Sequence, residues 1–215
     1  MPSSAARSDR RPEKRLGRPK HVASAETRER LLKVACAAFA RHGFDATTNR
    51  VIAEGAGITT GAIYHYYSSK ADLYVAVYEE VQQGMYREFG RVIAPHTGLV
   101  DRLSAVLDAA VEMNRRDPAA AGFVVGVAAE VQRPPELRQL LREANATSAN
   151  FLRRLAADAA ASGELLPDVS VRGLEDLLTA VLAGLARFST HAGDSNRHAA
   201  AVAVLQRCLA GTVLA

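Results

Sequence analysis

The stretch that decides the fold runs Thr47-Thr48-Asn49-Arg50-Val51-Ile52-Ala53-Glu54-Gly55-Ala56-Gly57-Ile58-Thr59-Thr60-Gly61-Ala62-Ile63-Tyr64-His65-Tyr66-Tyr67-Ser68-Ser69-Lys70-Ala71-Asp72-Leu73. Thr48 stands where its hydroxyl can cap a short helix beginning at Asn49, and Gly57 breaks that helix. Thr59 repeats the capping role for a second short helix, Thr60 to Tyr66, and Ser68 or Ser69 opens a third near Lys70. Two short helices joined by a glycine-containing turn make a helix-turn-helix. Ile52, Ala53, Ile58, Ile63 and Tyr67 form its inward side, and Ala53 and Gly57 are small where two helices must cross. Arg50, Thr60, Gly61, His65, Tyr66 and Lys70 are left outward. Most of these can donate hydrogen bonds to phosphates or base edges.

Working outward, Glu26 to His42 shows apolar residues at helical spacing: Leu31, Leu32, Ala35, Ala38 and Phe39, with Gly43 as the stop. Downstream, the same periodicity predicts helices over about 70–93, 99–116 and from 118. Further helices follow over about 135–161, 171–191 and 195–209. Pro95, Gly98, Pro118, Pro134-Pro135, Gly163, Pro167 and Gly193 punctuate them. No strand pattern and no internal repeat is visible. The expected fold is all-α with about nine helices, a three-helix head and a larger helical body. Alanine, at 41 of 215 residues, favours helix over sheet.

Composition narrows the class. A 48% hydrophobic, 23% charged chain can bury a core and is not globally disordered. Cys36 and Cys208 lie far apart and outside any metal-ligand spacing, which excludes a disulfide scaffold and predicts no metal site. No apolar run reaches the ~18 residues that span a bilayer, and no secretory signal precedes the first helix. The expectation is a soluble, cytoplasmic protein with no membrane partner. The net charge of +4 is unevenly placed: residues 1–20 carry seven bases against two acids, and residues 71–215 carry fourteen against seventeen. A basic N-terminal third points to an anionic partner, most often nucleic acid. Residues 1–22, rich in Ser, Arg and Pro, read as a disordered basic arm ahead of a DNA-binding domain at 23–70 and a body at 71–215.

The segment 27–73 resembles the TetR family of transcriptional regulators. The likeness rests on Phe39-Ala40-Arg41-His42-Gly43-Phe44, then Thr48, Ile52 and Ala53, then Ala56 through Tyr67, then Ser69, Lys70 and Leu73. Tyr67 departs from the phenylalanine common there, and its hydroxyl needs a partner. The resemblance implies a homodimer, double-stranded operator DNA as partner, and a body that binds a small-molecule effector. By position it implies that Thr60, Gly61 and His65 lie nearest base edges. Tyr64 and Tyr66 would meet phosphate or sugar, Thr48 would cap and meet phosphate, Thr59 would cap the recognition helix beside the DNA, and Arg50 would reach a guanine. Lys70 would clamp a phosphate at a helix N-terminus. Arg18, in Leu16-Gly17-Arg18-Pro19-Lys20, resembles the core of an AT-hook that enters a narrow minor groove. Solvated or packed alternatives stand beside several of these: His65 and Arg50 as surface residues, Tyr64 as core.

The body shows no catalytic constellation, so no enzyme and no cofactor are expected. Candidate effector-lining residues are Val81, Met85, Leu103, Leu107, Ala110, Met113, Phe123, Val127, Phe151 and Leu155, with Asn145 and Ser148 as polar guides. The alternative for each apolar one is a filled core. Leu174, Leu178, Val181, Leu185 and Phe188, then Val202, Leu205 and Leu209, form stripes on the last two helices that a twofold partner would cover. The expected function is a ligand-responsive DNA-binding regulator, a repressor released from its operator by a small, largely apolar effector. The other class left open is an α-helical small-molecule-binding or catalytic protein whose helix-turn-helix is only structural.

Overall fold

In a computed structural model, residues 20–129, 135–144 and 146–212 are described, and they are all-α. The helices are α1 (Lys20–Ala46), α2 (Asn49–Ala56), α3 (Thr60–Tyr66), α4 (Lys70–Ile93), α5 (Leu99–Arg116), α6 (Pro118–Ala129), α7 (Pro135–Ala144), α8 (Ala146–Ala161), α9 (Val171–Ala192) and α10 (Ser195–Leu209). The helix expected over 135–161 is thus described as two segments on either side of residue 145. Among the described residues no helix is long and apolar enough to cross a membrane, and no group of side chains could hold a metal ion.

The local signals place the short helices. Thr48, Thr59 and Ser69 accept from the backbone N–H groups of Val51, Ala62 and Asp72, closing the N-termini of α2, α3 and α4. Gly57 adopts φ 65° at the end of α2, a left-handed conformation that costs glycine nothing. Conformation, then, is the reason for glycine there. The close helix crossing falls at Gly55 instead, where a Cβ would lie 2.8 Å from Val34 Cγ1 of α1.

The first helix corrects one expectation and bears out another. It begins at Lys20, so the last residues assigned to the arm, 20–22, are helical. Gly43 ends the first helical run as expected, at a φ of 75°, and beyond this kink a short helical stretch continues to Ala46. Buried Thr47 secures the kink by donating its hydroxyl to Gly43 O at 2.7 Å and Ala38 O at 3.3 Å.

One core crosses from head to body. Leu31, Phe39, Ile52 and Ile63 of the head share a buried cluster with Leu73, Tyr74, Val77 and Tyr78 of α4, Phe123 and Val127 of α6, and Leu137 and Leu141 of α7. Phe123 packs edge-on to Tyr74 at 5.0 Å, and Tyr74 meets Phe39 at 4.8 Å. Such ring pairs add about 0.5–1.5 kcal/mol each beyond burial. A second cluster, Leu103, Leu107, Val111, Leu152, Leu155, Leu178 and Val202, joins α5, α8, α9 and α10. A third surrounds Phe89 and Val106.

Candidate DNA interface and effector-sensing body

α2 and α3 are too short to persist alone in water. They are held by their caps, by Ile52 and Ile63, both fully buried, and by Arg30 of α1, which donates Nε–H to Ala56 O at 2.8 Å. That support leaves one face of α3 free. Thr59, Gly61, Tyr64 and His65 are exposed and Thr60 is half-exposed, with Tyr64 at 55%. Tyr64 is therefore a surface residue rather than core. A Cβ at Gly61 would come no nearer than 3.8 Å to Thr59 Oγ1. The fold does not demand glycine at 61, whereas a surface that must approach a duplex closely favours it. Thr48 is exposed beside its cap. The Arg50 guanidinium is solvated and paired with Glu54 Oε1 at 2.9 Å, and that carboxylate raises its pKa through a hydrogen bond.

Two residues expected to point outward do not do so freely. Lys70 is turned inward. Its Nζ donates to Phe44 O at 2.8 Å, Thr47 O at 3.0 Å and Asp45 O at 3.4 Å, and sits 4.3 Å from the Phe44 ring centroid. The carbonyls released by the kink and end of α1 need donors, and an ammonium supplies three. Lys70 thus cross-links α4 to the end of α1, and a phosphate would have to compete with these carbonyls for its ammonium. Tyr66 is half-buried, its hydroxyl 3.1 Å from Ser24 Oγ and donating to Ser24 O at 3.4 Å. Ser24, which sequence reasoning missed, sets the start of α1 against the end of α3. Arg18 lies outside the described residues. The Tyr67 hydroxyl is buried without a hydrogen-bond partner. Burial pushes its pKa up, with the nearby Arg28 pulling the other way.

In the body, five of the expected effector-lining residues are buried within one protomer. Leu103, Leu107, Phe123, Val127 and Leu155 are each under 9% exposed. They fill the gaps between helices as ordinary packing does. Val81, Met85, Ala110, Met113 and Phe151 keep part of their surface open. Asn145 lies outside the described residues, as does the side chain of Ser148. A cleft lies at the junction of head and body. It measures about 510 Å³ and lies between α1, α4 and the start of α6. Leu32, Cys36, Val77, Val81 and Ala120 line it, with Arg28, Glu29, Lys33, Glu80 and Asp117 also on its wall. Val81 alone among the expected lining residues belongs to it. Arg28 and Glu80 face each other across the junction at 3.8 Å. Burial, aided by the Asp117 carboxylate, pushes the Cys36 thiol up to about 12, so the cysteine is an unreactive packing group.

Two of the residues assigned to a partner need correction. Leu178 and Val202 are 3% and 2% exposed within one protomer, held by α5 and α8, so neither is available to a second copy. Leu174, Leu185, Leu205 and Leu209 pack against the same cluster and are half-buried, as are Val181 and Phe188. The open face lies one residue round: Leu177 at 58% exposure with Ala180 and Gly184 on α9, and Val204 at 54% with Ala200 and Cys208 on α10. A Cβ at Gly184 would touch nothing within 4 Å.

Comparison with known proteins agrees with this arrangement. Residues 31–77 match the model of the tetR family of bacterial regulatory proteins. Residues 99–214 match that of the BetI-type transcriptional repressor, C-terminal domain. The transcriptional regulator UidR of Escherichia coli (strain K12) is 28% identical over 163 residues, covering 74% of this chain and 81% of that protein. Among solved structures, GusR of Salmonella enterica is 29% identical with a TM-score of 0.69, covering 87% of this chain and 95% of that one. FadR of Bacillus subtilis, solved with stearoyl-CoA, shares the fold at a TM-score of 0.71 and 20% identity, covering 86% and 99%. A capped helix-turn-helix with an exposed recognition face, continued by a matching helical body, places this chain in the TetR family of helix-turn-helix transcriptional regulators.

Proposed function

We propose that this protein is a homodimeric repressor that releases its operator when a small, largely apolar effector enters the helical body. The observation that carries this reading is the unbroken core from Ile63 of the recognition helix through Leu73 and Tyr74 of α4 to Phe123 and Leu137. A packed interior has few intermediate arrangements, so a ligand that moves α4 or α6 also moves α3. Two heads must sit one helical turn of DNA apart to enter adjacent major grooves, and a small change in their spacing removes one half-site. The effector acts by preferring the body conformation whose heads are wrongly spaced. The exposed α9 and α10 face offers small residues for close approach of a twofold partner, which supports a four-helix dimer contact. The basic arm adds affinity for DNA of any sequence.

The test is to sequence the genomic fragments the purified protein retains at moderate salt, then to titrate the enriched site with and without a set of apolar small molecules. One enriched palindromic site is expected. At least one compound should weaken it by about 5- to 150-fold, with DNA weakening that compound by the same factor. Retention of no particular sequence would leave the helix-turn-helix merely structural. Effectors that bind without changing operator affinity would refute the coupling.

A further inference from the structure

Among the described residues, few polar or charged side chains are buried: Thr47 and Asn49 in the head, Gln82 on α4, Glu175 on α9 and His198 on α10. Thr47 is satisfied by carbonyls and Glu175 by Arg153 and Arg172. Gln82 is different. It is 4% exposed, its Nε2 donates to Tyr78 Oη at 2.5 Å, and its Oε1 has no partner. Turning the amide over exchanges the atoms but still leaves one of them unpaired. An orphaned amide group in an apolar interior is destabilising, and a native fold that keeps one invites an explanation.

Its place in the body supplies that explanation. Tyr74, Tyr78, Gln82 and Phe89 are buried along α4, with Met85 and Tyr86 half-buried between them. On the N-terminal side of Gln82, Tyr78 belongs to the core shared with the head. On the C-terminal side, Phe89 belongs to a separate cluster, flanked by the half-buried Met85, Ala110, Met113 and Phe151. Gln82 thus marks the seam where apolar packing along α4 is interrupted.

We infer that Gln82 is the specificity-determining anchor of the effector site and that it selects an uncharged hydroxyl on an apolar skeleton. This rests on the reading that the body senses an effector. A hydroxyl both donates and accepts, so it satisfies the orphan in either amide orientation. A carboxylate or an ammonium would enter a seam where, among the described residues of α4 to α8, no buried side chain carries an opposing charge. Such a charge would be desolvated without compensation. The apolar skeleton lies along Met85, Ala110, Met113 and Phe151.

The experiment uses the full-length dimer and three matched probe series: n-alkanols, the corresponding alkanoates and the corresponding alkylamines. Binding is read by thermal shift and by isothermal titration, and operator release is read separately. The proteins are wild type, Gln82→Leu and Gln82→Met, the second keeping the side-chain length if leucine packs poorly. In wild type an alkanol is expected to bind and the charged series to bind far more weakly. In either variant alkanol Kd rises about tenfold, equivalent to about 1.4 kcal/mol, while the ligand-free melting temperature rises because the orphan is gone. Equal alkanol binding in wild type and variants overturns the inference. So does preferred binding of the charged series, or failure of every alkanol to bind. Alkanol binding that depends on Gln82 but leaves the operator bound upholds the anchor and refutes only the release mechanism.

Discussion

The head and the body hold their helices by different means. In the head, α2 and α3 have eight and seven residues, and polar links reinforce a small core: three hydroxyl caps, Arg30 on Ala56 O, and Lys70 on three carbonyls. In the body, long helices rely on apolar stripes, and the buried polar groups Gln82, Glu175 and His198 are exceptions within them. The contrast teaches where rigidity and adaptability lie. A surface that reads DNA must hold its donors in fixed register, which directional hydrogen bonds do well. A body that accommodates a ligand is better served by non-directional packing with a few polar groups in reserve.

The largest expected effect concerns the border between core and open face in the body. Leu177→Glu places a charge on the exposed α9 surface. If that face meets a partner copy, sedimentation should show monomer and operator affinity should fall at least a hundredfold, because one half-site is lost. Leu178→Glu, one residue on, should instead prevent folding, since Leu178 is buried inside the protomer. Two soluble dimers, or two unfolded proteins, would erase the distinction drawn between neighbouring residues.

Next comes Lys70, where a structural and a DNA-contacting role predict different readouts. As a cross-link, Lys70→Met should lower stability by about 1.5–3 kcal/mol, the worth of hydrogen bonds to a charged group, seen as a fall in urea midpoint. As a phosphate contact it would leave the midpoint alone and reduce the log–log salt slope of DNA binding by about one. A smaller and more selective effect is expected at His65, which is exposed. His65→Ala should leave the melting temperature near wild type and relax sequence choice at one base pair by about 1–3 kcal/mol, measured by competition with single-position operator variants. A uniform loss across all sequences would reduce His65 to a backbone contact.

The smallest effect concerns His198 on α10. Its ring is 3% exposed with Nδ1 unpaired, and burial lowers its pKa below the ordinary 6.5. The folded state therefore binds fewer protons than the unfolded chain once pH drops below 6.5, and stability falls as pH falls through that window. Above it, both states are neutral at this site and the contribution vanishes. His198→Gln should flatten the dependence of melting temperature between about pH 7 and about pH 5. An unchanged slope would assign the acid sensitivity to other groups.

The sequence by itself determined what depends on residues a few positions apart. The caps at Thr48, Thr59 and Ser69, the break at Gly57 and the apolar periodicity of the long helices are all set within one or two turns, and the structure has them where that reading places them. The exposed recognition face of α3 was legible for the same reason, since burial of Ile63 fixes which side remains. Tertiary structure alone decided what depends on how helices are rotated against one another. A helix turns about 100° per residue, so a stripe assigned one residue off exchanges Leu178 for Leu177 and core for open surface. Lys70 looks outward until the kink at Gly43 places unpaired carbonyls in its reach. Gly98 cannot cap α5 through a side chain, and the Leu99 N–H is met instead by Glu164 Oε2 at 2.6 Å, from 65 residues away. That bond holds the Glu164 carboxyl below the usual carboxylate range. No local pattern announces such a partner, because the two groups become neighbours only when α5 and α8 pack.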